Sequence, residues 1–306
     1  MNVVLASNVD LRRPTGVAQY WDRLIRGVGA LGLDVIAVPL ADVAKHARPG
    51  QSLVIVDNHD ALAVPDGIAV VAVQHGNAGE HLARVPDWKA GVALVPKQRA
   101  AGQRKLTFWV ACSEWSAWCG KKWMGVAADC IIPGAVDCAT FAPGPRQTGA
   151  RPTIPVVLHH CADPNKGSEH IARVEAACRG TFAFRRLDCK PQEVPAAMRE
   201  ADLWLCLSAA EGLPTVLQEA AATGLCCVST AVGVAWPAPA VPWVRTFLWR
   251  ERDKPQVVAD ALAAAWARRD WNVPREHAKQ QWDVPVFAEK WRAAIRRAAD
   301  KLNVKG

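Results

Sequence analysis

The sequence lacks any uninterrupted apolar run long enough to cross a bilayer. A spanning helix needs ~20 consecutive apolar residues. The most apolar long stretch, Val232 to Trp249, is broken by Pro237, Pro239 and Pro242 and carries Arg245. Proline removes a helical N–H and clashes with the preceding turn. The first residues also lack a basic segment and a small-residue cleavage site, and NVVLASNVD reads as a strand rather than a secretory leader. The ten cysteines include no C-x-x-C pair and no Cys/His cluster at zinc spacing. Several of them, such as Cys206 and Cys226–Cys227, sit in apolar strand-like runs, where a reduced thiol acts as a small hydrophobe. The expected compartment is therefore the cytoplasm.

What is present describes a globular enzyme-sized chain. A length of 306 residues suggests two domains, at ~150 residues each, and each is large enough to bury its own core. Hydrophobic residues make up 51% and charged residues 22%, a balance that excludes a disordered chain. The net charge of +8 suits an anionic ligand or surface, and equally a solvated basic face.

Short β-rich runs alternate with helical stretches through both halves, and no short tandem repeat interrupts them. NVVLA (2–6), LDVIAV (33–38), SLVIVD (52–57), IAVVAVQ (68–74) and TFWVAC (107–112) are continuous apolar runs, as in strands buried on both faces of a parallel sheet. Between the first two, Val17, Tyr20, Leu24, Ile25, Val28 and Leu31 recur at helical spacing. VVLHHC (156–161), TFAFRRL (181–187), DLWLCLS (202–208) and LCCVST (225–230) repeat the rhythm, with helices expected near Lys166, over 191–200 and over 214–223. The Pro/Gly-rich segment 141–153 predicts the domain boundary. The reading is α/β with two Rossmann-like domains, over 1–143 and 151–285, and a final helix within 286–306 that crosses back to the first. Ligands of such sheets bind outside the carboxyl ends of the strands, so the cleft between two such domains is the expected site.

The strongest local signal is SAAEGLPTVLQE, residues 208–219. A strand ends, a Gly212-containing turn follows, and Pro214 stands where a helix begins. The backbone N–H groups of such a turn and helix start face an anionic ligand well. Glu211 in the turn and Glu219 in the helix are two carboxylates, and a carboxylate there can accept both hydroxyls of a ribose. A helix cap plus a surface glutamate would give the same letters.

The run continues as E-A-x-A-x-G-x-x-x-V through Ala220, Ala222, Gly224 and Val228. As a whole it resembles the donor-binding signature of the retaining, GT-B-fold glycosyltransferases of family 4, the glycosyl transferases group 1. IPGAVD (132–137) with Phe141-Ala-Pro resembles that family's interdomain segment, and Asn165-Lys166-Gly167 its lysine–glycine pair. ACSEWS (111–116) resembles its strand end and serine, Gly16–Val17 its acceptor-side glycine loop, and His75 its N-domain histidine. The resemblance implies two Rossmann-like domains facing across a cleft and a hexosyl- or pentosyltransferase using a nucleotide sugar. It implies that Lys166 neutralises the donor diphosphate, that Glu219 holds the ribose, that Glu211 lies by the transferred sugar and that His75 meets sugar or acceptor. Gly16, His160, Gly212, Leu213, Pro214 and Thr215 complete the implied donor set. A UDP-sugar is the expected co-substrate, although the sequence does not separate uridine from guanosine or adenosine.

Two positions depart from the family pattern. The usual arginine six residues before the lysine is His160, and the usual asparagine of the interdomain segment is Gly134. An imidazole is not reliably charged at neutral pH, whereas a guanidinium is a permanent fork. Either Arg185 or Arg186 supplies the missing cation, or phosphate binding is weaker. The chain has no D-x-D pair, so lysine and helix dipoles must supply positive charge and no essential metal is expected. No carboxylate nucleophile stands out. The family's front-face transfer, in which the departing phosphate takes the acceptor proton, is implied by resemblance only.

The acceptor is set by neither fold nor donor site. From Lys89 to Trp123 seven Lys/Arg face one acid, Glu114, and Lys121 and Lys122 lie among Trp115, Trp118 and Trp123. Arg12 and Arg13 add charge to the early loop. Three readings compete: a solvated basic face, an anionic membrane surface with a lipid or saccharide acceptor, and nucleic acid, such as a hydroxymethylated pyrimidine in DNA. The absence of an evident membrane-inserting amphipathic segment makes the DNA base the expected acceptor and the lipid or saccharide the alternative. A degenerate sugar-nucleotide-binding protein without transfer activity is the non-enzyme alternative. The sequence is silent on oligomeric state.

Overall fold

The computed structural model describes residues 1–9, 16–149, 152–237 and 243–305. The chain divides into two compact units, Met1–Ala135 with Val284–Gly306, and Val136–Asp283. Among the described residues no helix is long and apolar enough to cross a membrane. All ten cysteines are free, and most are buried.

The first unit holds β1 (Asn2–Ala6), β2 (Val35–Val38), β3 (Ser52–Asp57), β4 (Ala69–Gln74), β5 (Thr107–Ala111) and β6 (Cys130–Ile131). They form one sheet in the order β2-β1-β3-β4-β5-β6 with every pairing parallel. The central strands β4 and β5 are buried along their whole length, which is why their sequences are unbroken apolar runs. At the edge, β2 leaves Ile36 and Ala37 exposed.

The final helix, Val284–Lys301, belongs to this first unit. It packs on the helix Gly16–Gly29 so closely that a Cβ on Gly27 would lie 3.1 Å from the Ala288 Cβ. Tyr20 is the centre of this packing. Its hydroxyl donates to the Ile132 carbonyl at 3.1 Å and accepts from Trp291 Nε1 at 3.2 Å. Its ring meets Phe287 edge-to-face at 5.2 Å.

The second unit holds β7 (Val156–His159), β8 (Ala183–Arg186), β9 (Leu203–Cys206), β10 (Cys226–Thr230) and β11 (Val244–Phe247), in the order β11-β10-β9-β7-β8, all parallel. The sequence pattern does not announce β11, because four residues with an exposed Arg245 after a proline-rich stretch make a poor strand signal. Buried Asp202 locks the start of β7, accepting from Val156 N at 2.7 Å and from Arg146 Nε at 2.9 Å.

The chain crosses between units at Ala135–Val136, earlier than the Pro/Gly-rich segment 141–153 predicts. Val136, Cys138 and Phe141 are already in the core of the second unit. Val136 N donates to the Trp282 carbonyl at 2.8 Å. Gln147, within the expected linker, is fully buried and donates to the Ala201 carbonyl at 2.7 Å. Proline and glycine there shape a packed loop of the second unit.

Trp291→Ala should destabilise the protein by ~3–5 kcal/mol, the cost of a large aromatic lost from a core together with the hydrogen bond to Tyr20. Urea unfolding followed by circular dichroism measures it. A change under 1 kcal/mol would show that the last helix is not part of that core.

Candidate functional site

In an open parallel sheet, a ligand crevice forms where connections from neighbouring strands leave in opposite directions. The second unit starts at β7, runs out to the edge strand β8 and returns on the other side at β9. Its switch point therefore lies between β7 and β9. The segments that follow these two strands carry Lys166 and Glu211.

Lys166 lies on a turn rather than at the helix start expected from the sequence; the helix opens only at Ile171. The reason is local. Asp163 caps the turn, its Oδ1 accepting from Lys166 N at 2.9 Å. Gly167 then takes φ +83°, outside the helical region. A Cβ on Gly167 would fall 2.6 Å from the Leu207 Cβ, so glycine is required for the turn to lie against the end of β9.

The two segments interlock through Asn165. Its side-chain amide donates to the Ala210 carbonyl and accepts from Ala210 N, both at 3.1 Å, and its carbonyl accepts from Ala209 N at 2.7 Å. On the far side, the Thr230 hydroxyl donates to the Ser208 carbonyl at 2.6 Å. Gly233 packs on Pro214 with no room for a side chain, since its Cβ would lie 2.3 Å from Pro214 Cδ.

This framework brings the Lys166 ammonium into an ion pair with Glu211 Oε1. Burial pulls the lysine pKa down, but the Glu211 carboxylate outweighs it and the net shift is upward, so the ammonium stays charged. Gly212, Leu213 and Thr215 are half-buried around the turn, and Pro214 is buried. The helix Thr215–Ala222 follows directly, with Glu219 buried on it.

His160 follows β7 and is reached by solvent. The surrounding protein, then the Lys166 ammonium, hold its pKa below the ordinary imidazole value, with Arg186 acting in the same direction. Neighbouring His159 is pushed down to about 4 by burial, then by Arg186 and His160. Both rings are neutral at pH 7. Of the two arginines that could supply a cation, Arg185 is committed elsewhere, to Glu200 at 2.9 Å and to the Ala197 carbonyl at 2.5 Å. Arg186 is paired in register with His159 and half-exposed, and among the described residues its carboxylate partner is exposed Asp188, at 3.9 Å.

Gly16 and His75 belong to the first unit. Gly16 is the exposed first residue of its helix. His75 follows β4, its ring edge-to-face with Tyr20 at 4.5 Å and Trp21 at 5.0 Å. Its Nε2 is enclosed and has no hydrogen-bond partner among the described residues, and burial lowers its pKa, so the ring is neutral. Arg12 and Arg13 lie outside the described residues.

The basic tryptophan stretch is largely used by the fold. Trp115 is 1% exposed, which removes it from any ligand-stacking role. Lys122 is 2.7 Å from the buried Glu80 carboxylate, which Arg84 and the Trp123 indole also hold, at 2.8 and 2.9 Å. Glu80 would be raised by burial, but these donors lower it on balance. Lys121 remains exposed, as does Trp118, whose ring centroid is 4.6 Å from Lys122 Nζ. Among the described residues no three His, Cys, Asp or Glu side chains converge as metal ligands.

Sequence reasoning missed the structural roles of Asn165 and Gly233, and missed Arg252 altogether. Asn165 was visible beside Lys166, but its hydrogen bonds reach a segment 45 residues away.

The pattern described as glycosyl transferases group 1 matches residues 156–268. No curated protein matches the chain in sequence. Solved structures resemble it along nearly its whole length. Sucrose-phosphate synthase from Thermosynechococcus elongatus has a TM-score of 0.77 at 14% identity, covering 98% of this chain and 100% of that one. Anabaena HepE in complex with UDP has a TM-score of 0.70 at 13% identity, covering 97% and 100%. WaaG, a glycosyltransferase involved in lipopolysaccharide biosynthesis, has a TM-score of 0.64 at 17% identity, covering 95% and 98%. At such identities the likeness shows the fold alone, and the sequence match adds a similarity confined to residues 156–268. The chain thus has the GT-B fold of these glycosyltransferases, and its residues 156–268 are similar to the glycosyl transferases group 1 family.

Proposed function

We propose that the protein transfers a sugar from a nucleotide-sugar donor to an acceptor hydroxyl, with retention and without a metal. The observation that carries this reading is the meeting of Lys166 and Glu211 at the β7/β9 switch point, inside the matched family segment. UDP is the favoured nucleotide, because HepE has been solved with UDP and with UDP-glucose.

In this reading the diphosphate replaces Glu211 as the counterion of Lys166. Arg186 supplies the second cation that His160, neutral at pH 7, does not. Its pair with Asp188 is at the surface, where such pairs contribute ~0–1 kcal/mol, so it is readily given up. Glu219 accepts the ribose hydroxyls. As the bond from the anomeric carbon to the phosphate oxygen breaks, a bond from that carbon to the acceptor oxygen forms on the same face. The acceptor proton passes to the departing phosphate oxygen. The chain contributes position and positive charge where negative charge grows.

A hydroxymethylated base in DNA is the second reading of the acceptor. Exposed Lys121 beside Trp118 favours it, but the burial of Trp115 and the pairing of Lys122 with Glu80 leave that surface weaker than its sequence suggests. A lipid or saccharide hydroxyl fits the same donor chemistry.

Glu219→Ala should weaken UDP binding by about 1.5–3 kcal/mol, as for a hydrogen bond to a charged group. Unchanged affinity in calorimetry would remove Glu219 from the ribose site. In the same assay Arg186→Ala should weaken UDP about tenfold, ~1.4 kcal/mol, while Arg185→Ala should leave it within twofold. The reverse ranking would assign the second cation to Arg185. Hydrolysis of UDP-sugar should persist in excess chelator, because Lys166 and Arg186 take the place of a cation on the diphosphate. Activity lost to chelation and restored by manganese or magnesium would overturn the metal-independent reading.

A further inference from the structure

Lys166 and Glu211 sit on segments that share a buried cation contributed by neither. Arg252 follows the short turn Trp249–Glu251 after β11 and is only 8% exposed. Its Nη1 donates to the Asn165 carbonyl and to the Leu207 carbonyl, both at 3.0 Å. Its Nη2 lies 3.4 Å from Glu169 Oε1. The two carbonyls come from opposite sides of the switch point, one residue before Lys166 and one residue after β9.

We infer that Arg252 is a positioning residue of the donor-phosphate site. It ties the Lys166 turn to the end of β9, so that the ammonium and the Glu211 carboxylate meet at one fixed place. The inference rests on the proposed role of Lys166 as a diphosphate ligand.

The chemistry of the side chain supports this role. A guanidinium presents several N–H donors in a rigid plane and can bridge acceptors on two separate segments. An ammonium on a flexible stem holds such a bridge less firmly. Burying a charge is costly, and a buried ion pair is weak evidence for stability. Among the described residues its carboxylate partner is half-exposed Glu169, at a long 3.4 Å. Burial lowers the Arg252 pKa, opposed by Glu169 and then Asp253, and an arginine so shifted is still charged. A cation kept in such surroundings and spent on two backbone carbonyls fixes loop geometry. The Asn165 carbonyl already accepts from Ala209 N, and Arg252 adds the second donor that fills its capacity. Gly167, pressed on Leu207, leaves the turn no slack on the other side.

The test is a coupling measurement with UDP as the probe. Arg252→Lys and Arg252→Met are each made alone and in a Lys166→Ala background. Calorimetry gives the affinities, and thermal melting checks the fold. Arg252→Lys should remain folded and bind UDP about tenfold more weakly, ~1.4 kcal/mol. In the Lys166→Ala background the same change should cost less than twofold, because no ammonium remains to be misplaced. Glu169→Gln, at a half-exposed site that folding tolerates, should show a smaller loss with the same coupling, and it decides the matter if both arginine variants fail to fold. An equal loss in both backgrounds, or none in either, would overturn the inference while leaving the donor site in place. A wild-type chain that binds neither UDP, GDP nor ADP would overturn the donor-site reading and this inference with it.

Discussion

The interlock of Asn165 with Ala209 and Ala210 is the constraint on which the site depends. Parallel strands fix the positions of β7 and β9, but not the paths of the loops that leave them. Those loops depart in opposite directions from the switch point, and without a tie they would drift apart. One side chain holds them by pairing with backbone on the opposite segment, and Gly167 permits the approach by having no Cβ. The charged groups meet because the backbone beneath them has already been joined. The chemistry is therefore a property of two loops held as one, rather than of either motif.

The ion pair at this junction gives the unliganded site a definite electrostatic state. Lys166 is neither a free cation awaiting phosphate nor a neutral amine. Its counterion is internal, and in the proposed reaction the donor diphosphate takes that counterion's place. The two histidines beside it stay neutral because burial, and after it the positive charges near them, disfavours the imidazolium, which leaves the arginine at the sheet edge as a nearby cation. In the proposed reading, Arg186 on the neighbouring strand answers for the histidine at position 160.

Legibility in the sequence followed the range of the forces involved. Strands buried on both faces were legible because burial demands apolar residues one after another, and the alternation with helices gave the α/β class. The strand–turn–helix geometry around Gly212 was legible because a strand end, a turn glycine and a helix start are adjacent in the chain. Three features were not. β11 is short and carries an arginine. The true crossing at Ala135–Val136 has no loop composition, while the proline-rich segment that has it is packed, with Gln147 at its centre. Arg252 stands in the charged run ERDK, which reads as solvated surface, and its partners lie 45 and 87 residues away. Trp115 failed in the opposite sense: lysines next to tryptophans in sequence look like a binding surface, yet helical spacing sends one ring inward and a buried glutamate from another helix takes up Lys122.

The last helix has a consequence for the order in which the chain matures. The second unit is an insertion whose two ends are stitched together at Val136 and Trp282. It is complete as soon as residue 283 has been made. The first unit is begun before the second yet finished after it, because Phe287 and Trp291, the rings that enclose Tyr20, are made only after residue 283. Until then its first helix has an uncovered aromatic face. Domains generally fold as units in the order of synthesis, but here the inserted unit is ready first and the enclosing one closes around Tyr20 afterwards.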